Sequence, residues 1–338
     1  MRYRGRRRTW LIVGVAALAG GLARPGAAAE KIRVGLDFTV SGYHAPFFVA
    51  AEKGWFAEQG LDVTVTRGYG SGDTAKRVVT NVLDVGFFHP TPLIVANAEG
   101  EHLRIVMGYF VQELCASYSA VQEGNVRRPK DLEGKVLGNP PGDVCSLMLP
   151  ALAEKTGFDV NKVKMAAMDA PARLPMLASG QITVTLSFFD KDILFAKALQ
   201  KAGKTMVSFR FAEYMPMYSN AVIVHQRMLD ARPETVRRFL VALVRATRYT
   251  LANPDEAAAM VMKLYPESDR DYIRASVDTL RDAVWDETTK AKGIGIVNPE
   301  KMAAMRDTIV KYWKLKASPP LDALFTNEYI EWALQQVR

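Results

Sequence analysis

IRVGLDF (32–38), PFFVAAEKGWFAEQG (46–60) and LDVTVT (61–66) follow one another near the start of the chain and decide its class of fold. The first and third are short β-branched runs that read as strands, and the second carries helical periodicity and is closed by Gly60. A strand, a helix and a strand at this spacing form a βαβ unit and imply a mostly parallel sheet. Working outward, residues 73–81 read as a helix, 83–88 as a strand, 91–99 as a helix and 103–109 as a strand. After Phe110 the rhythm breaks at a strand over 118–121 and a polar stretch over 122–130. A second series then begins, with strands at 135–139, 163–168, 182–188 and 205–211 and helices at 144–156, 172–179 and 192–202. A strand over 221–224 follows, and everything beyond Pro233 is helical, punctuated by Pro254, Pro266, Pro299 and Pro319-Pro320.

A chain that builds one α/β unit, then a second, and then returns gives a two-lobed α/β protein with two mostly parallel sheets, a cleft and two hinge crossings. The expected division is a signal peptide over 1–29, lobe one over 30–115 and 219–338, and lobe two over 116–218. The crossings are expected near 112–119 and 214–222. Some 300 residues exceed one ordinary core and suit two lobes.

Residues 1–29 read as an address. Arg2, Arg4, Arg6, Arg7 and Arg8 precede an apolar stretch over 10–22 and then Ala27-Ala28-Ala29, the pattern of a cleaved secretory signal. Arg7-Arg8-Thr9-Trp10-Leu11 also suits a twin-arginine signal, so export by Sec or Tat to the periplasm is expected. The stretch is shorter than the roughly 18 to 20 apolar residues that span a bilayer. The lipoprotein-like Leu18-Ala19-Gly20-Gly21 lacks its cysteine. Six of the 44 basic residues and no acidic residue lie in this segment, so the formal charge of +8 falls to +2 without it, 38 basic against 36 acidic. That balance excludes a basic nucleic-acid footprint. Two cysteines, Cys115 and Cys145, make a weak disulfide signal, and free, packed thiols are expected.

Open α/β sheets bind ligands outside the carboxyl ends of their strands. Aromatic residues crowd those ends, among them Tyr43, Phe88, Phe189 and Tyr218, and suit stacking on a flat ligand. Polar groups there include His44, Ser71, His89, Thr91, Asp143, Ser146 and Asp190, with no matched pair of Arg or Lys. Asp73 and Asp143 stand where helices begin, as N-caps or as ligand contacts, and disfavour an anion there. Together these residues point to a neutral or cationic ligand bearing N–H groups. Among four histidines, no G-x-S-x-G elbow and no phosphate loop supports catalysis, and neither a metal nor a cofactor is expected.

Several segments resemble a known family: HAPFFVAAEKGWFAEQGLDV (44–63), DLEGK (131–135), LASGQI (177–182), Pro233-Glu234 with NPDEA (253–257), VNPE (297–300) and ALFTNEY (323–329). They are similar to periplasmic binding proteins for nitrate, sulfonates and thiamine-pyrimidine precursors, and most to the pyrimidine-precursor branch, which includes the fungal thiamine pyrimidine synthases. The resemblance implies a type II periplasmic-binding-protein fold, hinge closure on a small planar nitrogen-containing or aromatic ligand, and an ABC permease with a cytoplasmic ATPase as partners of a monomer. Binders of sulfonate, nitrate or aromatic-acid anions are the alternative it carries, and a synthase-like enzyme is disfavoured by export. Where the family commonly has Asn before the His and Gly after His-Ala, this chain has Tyr43 and Pro46. PPGDVC (140–145) replaces the acid-bearing second-lobe loop, Thr183 replaces the Asp of Gly-Gln-Ile-Asp, and the synthases' cysteine-rich motif is absent.

Overall fold

The computed structural model describes residues 29–337, so the signal segment expected over 1–29 lies almost wholly outside the described residues. Ten strands form: β1 (Glu30–Gly35), β2 (Leu61–Thr66), β3 (Val85–Phe88), β4 (Leu103–Met107), β5 (Cys115–Ala120), β6 (Val136–Asn139), β7 (Lys164–Ala167), β8 (Val184–Phe188), β9 (Met206–Arg210) and β10 (Ala221–His225). They make two five-stranded sheets of the same plan, β2-β1-β3-β10-β4 and β7-β6-β8-β5-β9. In each sheet four strands run parallel, and the fifth, β10 or β5, is antiparallel to both neighbours. Each reversed strand is the first one the chain lays down after crossing between sheets, so the crossings determine which strand opposes the rest.

Two helices expected to be continuous are broken. The stretch after β1 forms Ala45–Glu52 and Trp55–Glu58, parted at Gly54, whose φ of 72° suits glycine. The stretch after β6 forms Val144–Leu147 and Leu149–Thr156, and Pro150 opens the second because its missing N–H is spare in a first turn. The long helix Pro233–Ala252 packs on Ala45–Glu52 and Trp55–Glu58, where Phe239 stacks on Phe56 at 5.3 Å and 12°. No helix among the described residues is long and apolar enough to cross a membrane.

The cysteines correct the expectation of free thiols, because Cys115 and Cys145 are disulfide-bonded with Cα atoms 5.5 Å apart. Insertion of β5 beside β8 brings its first residue against the short helix Val144–Leu147 that follows β6. Sequence spacing could not show this meeting.

The bond closes a loop of 30 residues, which loop-closure entropy values at about 3 kcal/mol. Replacing both cysteines by serine is expected to lower unfolding stability by about 2–4 kcal/mol in urea titration, with a rise in m-value because the unfolded chain loses its cross-link.

Candidate functional site

The carboxyl ends of both sheets face one small cavity between the lobes. Lobe one supplies Asp37, Phe38 and Tyr43 from beyond β1 and Gly70 and Ser71 from beyond β2. Lobe two supplies Asp143 and Val144 from beyond β6, Arg173, and Ser187, Phe188 and Lys191 at the end of β8. The lobes are drawn together: a side chain at Gly70 would come within 3.0 Å of the Gly142 carbonyl, and the φ of 131° there also favours glycine.

Asp37 organises the lobe-one wall. Its Oδ2 accepts from the Tyr43 hydroxyl (3.0 Å) and from Asn220 Nδ2 (2.7 Å). Its Oδ1 lies 2.7 Å from His44 Nε2. The Ser41 N–H points at His44 Nδ1 (3.1 Å), which leaves the ring proton on Nε2 to be donated to Asp37. Burial pushes the Asp37 carboxyl up, but the donors from His44, Asn220 and Tyr43 outweigh it and hold the group below its ordinary value. Burial, with the negative charges of Asp37 and Asp190 nearby, keeps the Tyr43 hydroxyl protonated far above the usual phenol range. The turn that carries Tyr43 docks on the helix Arg270–Ala283, where Ser276 Oγ accepts the Tyr43 N–H at 3.1 Å. Gly42 permits this approach, since a Cβ there would lie 2.0 Å from the Ile273 carbonyl.

Lobe two presents the opposite arrangement. Asp143 caps the helix Val144–Leu147, its Oδ1 accepting from the N–H groups of Cys145 (3.0 Å) and Ser146 (3.3 Å) and from Asn139 Nδ2 (2.9 Å). Burial raises its pKa even though Arg173, those N–H groups and Lys191 all favour the charged form. Arg173 Nη1 donates to the Leu186 carbonyl (2.8 Å) and stands 3.6 Å from Asp143 Oδ2, and its guanidinium lies over the Phe38 ring. Lys191 is paired with the buried Asp190 at 3.2 Å. Asp190 also accepts from Tyr272 (2.9 Å) and Ser276 (3.1 Å) of lobe one.

Arg173 and Lys191 correct the expectation that no Arg or Lys pair reaches the cleft. Arg173 opens a helix (Arg173–Ser179) whose first turn, not its preceding loop, meets the cavity. Lys191 sits inside the turn between β8 and the next helix. Of the residues singled out from sequence, Tyr43, Ser71 and Asp143 line the cavity, and His44 stands behind Tyr43 with both ring nitrogens engaged. Asp190 lies beneath Lys191. Ser146 is half-buried one turn away, its Oγ without a partner.

Phe88, His89, Thr91, Phe189 and Tyr218 do not reach the cavity. Phe88 is buried in β3 opposite Ala221. His89 is fully buried with Nε2 2.8 Å from Glu113 Oε2, and Thr91 donates to Met148 Sδ (3.3 Å). The Tyr218 hydroxyl accepts the Asn298 N–H (2.8 Å), and Phe189 lies under the Arg210 guanidinium. Asp73 is exposed, 3.9 Å from Arg77, and caps nothing.

A family model described as NMT1/THI5 like matches residues 41–257. The riboflavin-binding protein RibY of Chloroflexus aurantiacus is 22% identical, covering 89% of this chain and 86% of that protein. The formylaminopyrimidine-binding protein of Halalkalibacterium halodurans is 22% identical, covering 70% of this chain and 71% of its own length. A 4-amino-5-hydroxymethyl-2-methylpyrimidine phosphate synthase of Saccharomyces cerevisiae is also 22% identical, at 90% and 88% coverage. Among solved structures, the periplasmic aliphatic sulphonate binding protein SsuA of Escherichia coli has a TM-score of 0.68 at 13% identity, covering 89% of this chain and 99% of that one. The two sheets, their cleft and this likeness identify the periplasmic-binding-protein fold.

All three donors around Asp37 require an acceptor, so Asp37→Asn leaves one unmatched in the core. We expect it to cost about 3 kcal/mol at pH 7 in urea titration. Because the folded value lies below the ordinary 3.8, Asp37's contribution is complete above that pH and is lost as pH falls through the folded value. The gap between variant and parent therefore narrows when the titration is repeated below about pH 4.

Proposed function

The chain belongs to the NMT1/THI5-like family, and from that premise we propose that it is the solute-binding component of an ABC importer, closing its lobes on a small planar nitrogen-containing ring. The observation that carries this reading is the composition of the cavity wall. Phe38 and Tyr43 from one lobe and Phe188 from the other contribute aromatic rings, and the charges around them leave no surplus cation. Lys191 is neutralised by Asp190, Arg173 faces Asp143, and Asp37 holds its charge among the donors of Tyr43, His44 and Asn220. A site with no surplus positive charge suits an uncharged ring better than a sulfonate or nitrate. The names of the riboflavin and formylaminopyrimidine binders point to the same chemistry.

The synthase relative raises the enzymatic reading. Binding fits this wall better, because His44, the histidine nearest the cavity, has both ring nitrogens committed. Export by the segment over 1–29 would deliver the chain to the periplasm, where a membrane permease with its ATPase is the partner. Closure is a shift between open and closed forms, driven by contacts that the ligand makes with both lobes only in the closed one.

A thermal-shift panel of pyrimidines, riboflavin, aromatic acids and alkyl sulfonates tests the reading. A ring ligand at a hundredfold excess over Kd is expected to add about 2.7 kcal/mol of stability. Phe188→Ala should weaken that ligand by about tenfold. Stabilisation by alkyl sulfonates with none from ring compounds would show the ligand class to be wrong.

A further inference from the structure

Arg173 is among the described residues whose buried polar atoms lack a partner: its side chain is 5% exposed, yet Nε has no acceptor within hydrogen-bond distance. Its Nη1 is already committed to the Leu186 carbonyl. The guanidinium lines the cavity and also the neighbouring hollow formed by Leu174, Leu194 and Phe195, which offers it no carboxylate. Asp143 has the converse vacancy. Its Oδ1 takes three N–H groups, whereas Oδ2 has only Arg173 Nη1 at 3.6 Å, beyond hydrogen-bond length. A spare donor and a spare acceptor therefore stand on adjoining side chains in one wall.

We propose that Arg173 is a specificity-determining residue that reads the ligand's edge: the ligand gives Arg173 Nε a ring nitrogen or carbonyl oxygen, beside an N–H that it gives Asp143 Oδ2. This is the edge of an amidine or a lactam, as in aminopyrimidines and pyrimidinones. The inference rests on the ring-binding reading above and narrows it. A ligand carboxylate fits poorly, because it would bring a negative charge to Asp143 with Asp37 on the opposite wall and Lys191 already held by Asp190. A merely structural Arg173 would hold Leu186 and Asp143 in place and leave ligand discrimination untouched.

The test uses 4-aminopyrimidine, which carries the acceptor beside its amino group, aniline, which lacks the acceptor, and benzoate, at pH 8 with the mature protein. Affinities are read by calorimetry or thermal shift for the parent, Arg173→Met and Arg173→Lys. The parent is expected to bind 4-aminopyrimidine at least tenfold tighter than aniline, and in Arg173→Met that ratio should fall to within about twofold. Arg173→Lys keeps a donor and a charge and should retain part of the preference, which keeps the test valid if Arg173→Met melts too low to assay. An unchanged ratio in the variants overturns the proposal, as does benzoate binding tightest. Failure of all three probes to stabilise the parent also overturns it, while the wider ring panel decides separately whether the protein binds flat rings at all.

Discussion

The buried carboxylate of Asp37 is the constraint on which the binding wall depends. A charge taken out of water this completely is tolerated only when its lone pairs are filled, and here three side chains fill them. Those side chains come from distant places in the chain. Tyr43 and His44 belong to the turn after β1, and Asn220 stands at the start of β10, where the chain returns from the second lobe. One anion thus ties the end of the first strand to the return crossing. Tyr43 is oriented as a consequence, its ring fixed against His44, Phe87 and Phe110. A rigid aromatic wall loses little freedom when a ligand arrives, and this preserves affinity.

The outgoing crossing is held by a different set of bonds. Glu113 precedes β5 and is fully buried, accepting the Cys115 N–H through Oε1 and meeting His89 through Oε2. Two residues on, the disulfide fastens β5 to the helix that Asp143 caps. The His89–Glu113 pair anchors the crossing to lobe one, and the disulfide anchors it to lobe two. The site-bearing loops are therefore bound to the sheets behind them.

All ten strands among the described residues were legible in chain order, most of them because a short apolar run is set off from the next by a helical pattern, and the two-series rhythm revealed two lobes. Boundaries were less legible. β5 starts at Cys115 rather than at 118, since CASYSA has little of the β-branched character that marks a central strand. The candidate site was legible as a set of strand ends but not as a set of side chains. His89 and Tyr218 sit at strand ends like Tyr43 and Asp143, but their partners, Glu113 and Asn298, come from segments that no local pattern brings near. Arg173 escapes notice for the complementary reason: it opens a helix, where an acidic cap is the local signal, and no local pattern shows a basic side chain reaching back over the cleft.

The lobes also meet without help from a ligand, through Asp190 of one and Tyr272 and Ser276 of the other, and through the exposed pairing of Lys197 with Asp269 and Asp271. Exposed ion pairs contribute little, so the buried contact of Asp190 carries most of this attraction. A protein that closed fully while empty would admit nothing, and any binding would be weakened by the scarcity of the open form. On the proposed reading, the unpartnered Arg173 Nε opposes empty closure. Leaving a buried donor unmatched costs about 1–3 kcal/mol, and here the guanidinium lies over the Phe38 ring of the other lobe, 3.6 Å from Asp143. A ligand that supplies the missing acceptor removes that cost only when the lobes are shut. The same group that selects the ligand thereby makes closure depend on it.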